Sequence, residues 1–540
     1  MSAPLPNPTS RATTPPLLWI LLAVGTLAAV TPLWVVDVLP FQDLPGHLAT
    51  ARVLHDLRAG SELYARVYVQ APAPLPNTLV FALMDWLAGL MPLHVAATVT
   101  LTAASVALPL SSLALARTFG RSPWLALFSL FLVFNYPLGR GFLAYATGIP
   151  VLLLAIAAAH QDAVRPSWSR LVTLAGLIAL GFFAHAQIYL MIMLCGGVVV
   201  VLSWGGWRAF LRRLAPYALG SVPFAIWFWR TFVARVGQAP ISYSAASDGF
   251  GARWTPLGDL IVSARQFVIA IFPSRADEVT LAGMAVLLAV LLGVQVAHRR
   301  TGGRTVQALP GYRPWTLPIL TVVMFVSYVV VPAHMKGQAS ISYRFLPVAV
   351  LLLSLCGDMP RRAWVAAALA TAITAGAAGW SAQVARELQS YVATNVGDIR
   401  GLMDLAQPGR RLAYLRLDTR SYTQLEWRTA WYLDSWYMVF RHGLVQMNFH
   451  YTYPNHVAYA PGREPPRTPR SDPEAFFRRG LDQYYDYLLI YGPAHVDFGA
   501  FATRLRLLGR SGRLTLYAIE GSAEGTRAPP DRDPRGTSPG

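Results

Sequence analysis

Val36-Asp37-Val38-Leu39-Pro40-Phe41-Gln42-Asp43-Leu44-Pro45-Gly46-His47 is the stretch on which the reading of this chain turns. It follows an apolar run from Leu17 to Val36, and roughly 20 such residues span a bilayer core. Two carboxylates and a histidine therefore stand where a helix has just left the membrane. An acid, a base or a metal ligand placed there would meet a lipid headgroup.

The rest of the chain supports a membrane setting. Of 540 residues, 54% are hydrophobic and 13% charged, and the mean hydropathy is +0.40. Repeated apolar runs of spanning length then define a polytopic α-helical membrane protein. The net charge of +18 does not point to nucleic acid, because the arginines are spread between apolar segments instead of clustering on a soluble unit. Cys195 and Cys356 both lie inside apolar runs, which argues against a disulfide framework or a thiolate metal site. Lys336 is the only lysine.

Residues 1–16 read as a disordered leader and 17–36 as a retained first span, since no small-residue cleavage site follows before Asp37. A polar external loop covers 37–77. The run from Thr78 to Met91 is short for a span and carries Asp85, so it reads as an interfacial helix. Further spans are expected at about 93–116, 123–136, 141–159, 171–185, 187–205, 215–233, 279–297, 315–333, 344–357 and 362–381, about 11 in all. One helix through 171–207 would be about 55 Å long at 1.5 Å per residue. Its polar interruption, His185-Ala186-Gln187, is where it should turn.

Short cytoplasmic loops collect basic residues. A cytoplasmic N-terminus puts Arg117/Arg121, Arg165/Arg170, Arg208/Arg212/Arg213, Arg299/Arg300/Arg304/Arg313 and Arg361/Arg362 inside. The 37–77 loop, the His185 turn and everything after 381 then lie outside. Residues 386–522 read as a small extracytoplasmic α/β domain. Strands are expected around 411–417, 485–491 and 513–519, and helices at 473–481 and 496–508. The tail, 523–540, has nothing to bury and should be disordered. The localisation implied is the cell inner membrane, multi-pass.

Four groups of residues could carry chemistry. If Leu44 opens a helix, with Asp43 as its cap and Pro45 in its first turn, Asp43 and His47 share a face four residues apart; the plainer reading is a simple N-cap. Asp37 is the second carboxylate. On the outer side Arg140, Arg230, Arg235, Arg253, Arg275, His334, Lys336, Tyr343 and Arg344 form a basic set able to hold a lipid phosphate, against headgroup snorkelling as the plain alternative. Arg344 stands out because it begins an apolar run, where a charge needs a partner. His185 and Gln187 sit at the proposed outer turn. Trp427, Trp431, Tyr432 and Trp436 would form two ridges on one helix, suited to stacking on sugar rings or to core packing. No Gly-x-x-x-x-Gly-Lys-[Ser/Thr] loop occurs, which argues against ATP-driven transport.

This layout resembles the GT-C superfamily of integral-membrane glycosyltransferases, which includes protein O-mannosyltransferases and the aminoarabinose transferase. The likeness covers about residues 17–381. It rests on one span followed by a long external loop with Asp37 and Phe41-Gln42-Asp43-Leu44-Pro45-Gly46-His47, the segment from Pro74-Leu75-Pro76-Asn77 into Leu93–Arg117, and the late Ser342-Tyr343-Arg344-Phe345-Leu346-Pro347. The resemblance implies an inverting transfer of a sugar from a polyprenyl-phosphate donor on the non-cytoplasmic face. Asp43 would be the base, with Asp37 as the alternative, and Arg344 with Lys336 or Arg140 would neutralise the leaving phosphate. His47 would support the base, His185, Gln187, His334 and Tyr343 would line the cavity, and Trp427, Trp431 and Trp436 would meet the acceptor. Many members carry adjacent acidic residues in this loop. Here Asp37 and Asp43 are six apart with His47 following, so the choice of base and the presence of a divalent metal both stay open. A non-catalytic lipid or polysaccharide transporter, or an envelope-assembly protein, is the competing reading; few ionisable residues lie at span centres, which counts against it.

Overall fold

The structure, a computed structural model, describes residues 15–233, 251–268, 275–300, 315–335, 338, 340–418, 430–446, 455–493 and 495–520. The expected leader up to residue 14 and the tail from 521 lie outside the described residues, as do Lys336 and Trp427.

The chain is predominantly helical. Pro16–Leu33, Leu93–Thr118, Leu143–Val164, Asp277–Arg300 and Ala363–Asp404 are long and apolar enough to cross a membrane, and shorter apolar helices pack among them. Their outward flanks stay apolar: Ile20, Val24 and Leu27 on the first helix and Val322, Val326 and Val330 on the Thr316–Val330 helix are exposed. Water would penalise such flanks and lipid accepts them. This is a multi-pass membrane protein.

Several expectations are corrected locally. The run at 123–136 is not a regular span; Pro123–Leu132 is a 3₁₀ helix whose residues 125–132 are all buried. It starts at a proline and wedges bulky Leu and Phe side chains between the first helix, Leu93–Thr118 and Ala363–Tyr391. The run at 215–233 divides into Trp207–Gly220, Val222–Phe228 and a π turn, Trp229–Val233. The divide falls at Ser221, beside Gly220 and ahead of Pro223, where the helix is weakest. By contrast, Trp168–Ala184 and Ala186–Leu202 break at His185.

Seven strands are described: β1 (Tyr68–Gln70), β2 (Arg411–Arg416), β3 (Leu444–Val445), β4 (Val457–Tyr459), β5 (Tyr487–Tyr491), β6 (Leu505–Ser511) and β7 (Leu514–Ile519). Five of them form a sheet in the order β3-β2-β5-β7-β6, with β2 parallel to β3 and β5 and the remaining pairs antiparallel. All five residues of β5, Tyr-Leu-Leu-Ile-Tyr, are buried, as befits a central strand covered on both faces. Residues 496–508, expected to be helical, are instead a 3₁₀ turn, Gly499–Arg504, that runs into β6. Pairing of β6 with β7 gives its backbone groups partners that local propensity does not foresee.

The external loop is bound to the C-terminal region. β1 pairs antiparallel with β4, and Tyr68 stacks on Tyr459 at 4.9 Å between ring centroids. On the adjacent helix Leu44–Arg58, Asp56 accepts a hydrogen bond from His442 at 2.7 Å and pairs with Arg52 at 3.4 Å. Arg52 also donates to the Val439 carbonyl.

Candidate active site

Pro40-Phe41-Gln42 leads into the Leu44–Arg58 helix, which has Pro45 in its first turn as the sequence suggests. Asp43 occupies the N-cap position, but its side chain makes no capping hydrogen bond. Its carboxylate accepts instead from Gln42 Nε2 at 3.1 Å. The simple capping role is thus not the one it plays. The Asp43 backbone N–H donates to the Arg140 carbonyl at 3.1 Å, and the His47 N–H donates to the Asp43 carbonyl at 3.1 Å. Gly141 lies beneath this turn with φ +83°; a Cβ there would come within 2.7 Å of the backbone nitrogens of Asp43 and Leu44. Only glycine fits that approach.

Asp43 and His47 open onto a cavity of about 320 Å³. Its wall also includes Asn77, Phe81, Phe142, Tyr145, His185, Gln187, Arg344, Asn455 and His456. Elements far apart in sequence thus converge: the first external loop, the His185 break, the turn before Phe345 and a C-terminal segment. Burial pushes the Asp43 carboxyl up to about 6, against the opposing effects of Arg140, Gln42 and Arg344. Burial pushes the His47 imidazole down to about 4, so it is neutral over the physiological range.

Arg344 closes the other side. It is 6% exposed, and its Nη1 lies 3.3 Å from Gln187 Oε1 and 3.3 Å from His185 Nε2. Its guanidinium sits 4.0 Å from the centroid of the Phe142 ring, and its carbonyl accepts from the Tyr145 hydroxyl. Gln187 is itself held, its Nε2 donating to the Ile341 carbonyl at 2.8 Å. His185 Nδ1 accepts the Gln187 backbone N–H at 3.0 Å. Burial first, and then the Arg344 charge, hold the His185 imidazole well below its usual range, so it is neutral and its proton is on Nε2. Two donors, Arg344 Nη1 and His185 Nε2–H, then face one region, an arrangement suited to an anionic oxygen.

Not every expected residue joins this group. Asp37 is 62% exposed and stands 3.9 Å from His94 Nε2, outside the cavity wall. It belongs to the span end, where the chain has not yet turned inward. Arg140 acts on Asp43 by its charge and lies over the Tyr136 ring at 5.7 Å, outside the cavity wall. His334 is exposed and exchanges backbone hydrogen bonds with Arg253, while Tyr343 accepts from Thr255 at 3.1 Å and meets Tyr136 edge-on. Neither lines the cavity. The long aromatic helix is corrected: the helix there is Ser435–Arg441, and Trp436 is 2% exposed and stacked on Phe440 in the core. That burial leaves Trp436 no face for a ligand. Trp431 precedes the helix and is flanked by the Arg416 and Arg470 guanidinium groups.

Tyr145, Phe142, Asn77, Asn455 and His456 are additions that sequence reasoning missed. Asn77 had a signal, an asparagine at the end of Pro74-Leu75-Pro76 just before a helix. Asn455 and His456 had none, because β1–β4 pairing alone brings them to the cavity.

Among the described residues, no three His, Cys, Asp or Glu side chains converge as metal ligands. Among the described lining residues the cavity offers one carboxylate, Asp43, which feels the positive charges of Arg140 and Arg344. That donor set does not fit a divalent cation, which needs several oxygen ligands and little positive charge.

No family model and no curated protein matches this sequence. Among solved structures, the chain is similar to ArnT from Cupriavidus metallidurans bound to undecaprenyl phosphate, with TM-score 0.56 and 12% identity over 94% of this chain and 99% of that one. The same protein in the apo state matches with TM-score 0.55 and 11% identity over the same shares. The chain therefore has the same overall fold as ArnT.

Proposed function

We propose that this protein is a membrane glycosyltransferase that moves a sugar from a polyprenyl-phosphate donor to an acceptor hydroxyl on the non-cytoplasmic face, with inversion. The observation that carries the reading is the convergence of Asp43 and Arg344 on one cavity from segments some 300 residues apart. The undecaprenyl phosphate in the similar ArnT structure supports the donor class.

In this reading Arg344, with His185 Nε2–H beside it, binds the donor phosphate, and Gln187 holds the guanidinium in place. Asp43 takes the proton of the acceptor hydroxyl as its oxygen attacks the anomeric carbon. The bond from that carbon to the phosphate oxygen breaks, and the charge that develops on the phosphate stays with Arg344. Asp43 is the single carboxylate among the described lining residues, so a second one able to form a glycosyl–enzyme intermediate is lacking there, and a single displacement inverts the anomeric centre. Burial near Arg344 leaves Asp43 with a basicity suited to neutral pH. A cytoplasmic N-terminus, with the 37–77 loop and the C-terminal domain on the extracytoplasmic side, is the topology this reading requires.

The test is transfer itself. Purified protein in proteoliposomes, given undecaprenyl-phosphate sugars and a membrane extract as acceptor, should release undecaprenyl phosphate, and Arg344→Gln should abolish that release. Movement of the lipid across the bilayer with its sugar–phosphate bond intact would favour the transporter reading instead.

A further inference from the structure

Three polar groups in the cavity wall have no place in the scheme above. The helix Thr78–Ala88 begins after Asn77, which has φ +66° and makes no capping hydrogen bond with its side chain. Asparagine at an N-cap ordinarily accepts a backbone N–H, which is worth about 1 kcal/mol. Here its Oδ1 is buried with no hydrogen-bond partner among the described residues. Asn455 is the counterpart. Its Oδ1 accepts the His456 N–H at 2.7 Å, which fixes the amide orientation, and its Nδ2 is buried with no partner among the described residues. A buried amide group left in this state costs roughly 1–3 kcal/mol unless a ligand meets it.

His456 is the third. Thr78 has one hydroxyl proton and donates it to the Leu75 carbonyl at 2.6 Å. Its 3.1 Å contact with His456 Nε2 must therefore take the proton from the ring. Burial, aided by the neighbouring His47, pushes the His456 imidazole down to about 4. The ring is neutral, and Nδ1 is left as an acceptor. The Phe81 ring, 4.6 Å from the imidazole by centroids, gives the same wall an apolar face.

The wall thus offers acceptors from Asn77 and His456, a donor from Asn455 and an aromatic surface. A phosphate would want donors only, and a prenyl chain would want neither. A sugar ring presents hydroxyls that both give and accept beside apolar C–H faces. We propose that Asn77, Asn455 and His456 form the subsite for the hydroxyls of the donor's sugar ring. This inference rests on the transferase reading and adds to it the part of the cavity that selects the sugar. The β1–β4 pairing then acquires a role, since the C-terminal region supplies two of the three subsite residues.

The experiment compares binding of bare undecaprenyl phosphate with binding of its glucosyl, mannosyl and aminoarabinosyl forms. The proteins are the wild type, Asn455→Asp and Asn77→Gly. Asn455→Asp keeps the oxygen that accepts from His456 and replaces only the buried donor; Asn77→Gly keeps the left-handed turn and removes the amide. The wild type should bind at least one sugar-bearing lipid more tightly than the bare lipid. Each variant should weaken that binding about tenfold while its Kd for undecaprenyl phosphate is unchanged. Variants that bind every probe as the wild type does, or that lose bare and sugar-bearing lipid equally, overturn the subsite. A rise confined to acceptor KM overturns its assignment to the donor. Failure of the wild type to bind any of the lipids overturns the transferase reading itself, which is a separate outcome.

Discussion

Replacing Asp43 with asparagine separates catalysis from stability. A general base contributes about 10²–10⁴ in rate, so Asp43→Asn should lower kcat by that factor and leave undecaprenyl phosphate binding intact. The fold should respond in the opposite direction. The carboxyl stands at 3.8 when unperturbed and at about 6 in the folded protein because burial disfavours its charge. A carboxyl raised in this way destabilises the fold once ionised. The cost is absent below pH 3.8, grows between 3.8 and about 6, and is complete above, where it amounts to roughly 3 kcal/mol. Asparagine is never ionised, so the variant should melt higher than the wild type at pH 7 and alike near pH 4. Wild-type kcat/KM should also rise about tenfold between pH 5 and pH 7, following ionisation of a group near 6. Transfer measured by release of undecaprenyl phosphate, with thermal melts in the same detergent, reads all three. An inactive variant that melts lower at pH 7 would mean that Asp43 supports the fold instead of acting as a base, and a fully active variant would remove it from the mechanism.

Three further outcomes follow from the geometry. Arg344→Gln should weaken undecaprenyl phosphate binding by about 10–100-fold, the value of a charge-assisted hydrogen bond pair, and lipid titration would expose an unaffected variant. Gly141→Ala forces a methyl within 2.7 Å of the Asp43 and Leu44 nitrogens; it should cost about 1–3 kcal/mol in a melt and reduce kcat, and wild-type behaviour in both would show that the turn under Asp43 has slack. Asp56→Ala removes the acceptor that links the external helix to His442 and should cost about 1–3 kcal/mol. For Asp56, burial raises the carboxyl but is outweighed by the His442 hydrogen bond and the Arg52 charge, so it lies below 3.8. Its stabilisation is present above that value and lost as pH falls through the lowered one, so limited proteolysis of the wild-type C-terminal region should accelerate only in strong acid.

Much of this protein follows from local sequence. Apolar length sets which segments reside in a bilayer, Pro45 behind Asp43 starts the external helix where it does, and the polar His185-Ala186-Gln187 marks the break between two helices. Those signals depend on neighbours within a turn or two, so they survive without tertiary information. The cavity residues Asp43, His47, His185, Gln187 and Arg344 could be named as candidates because polar groups at span ends are costly to keep without a purpose. Other features depended on distant partners. Residues 505–511 are a strand because β7 lies beside them, and Trp436 is core because the helix carrying it packs inward. Asp43, the preferred carboxylate by sequence, and Asp37, its alternative, are told apart in space by the turn over Gly141, which carries the first to the cavity and leaves the second at the surface. Asn455 and His456 reach the same cavity from more than 350 residues further along, held by a three-residue strand pair that no local pattern announces. Local chain chemistry determined the first turn of the Leu44–Arg58 helix and the break at His185, and long-range packing decided which polar ends meet.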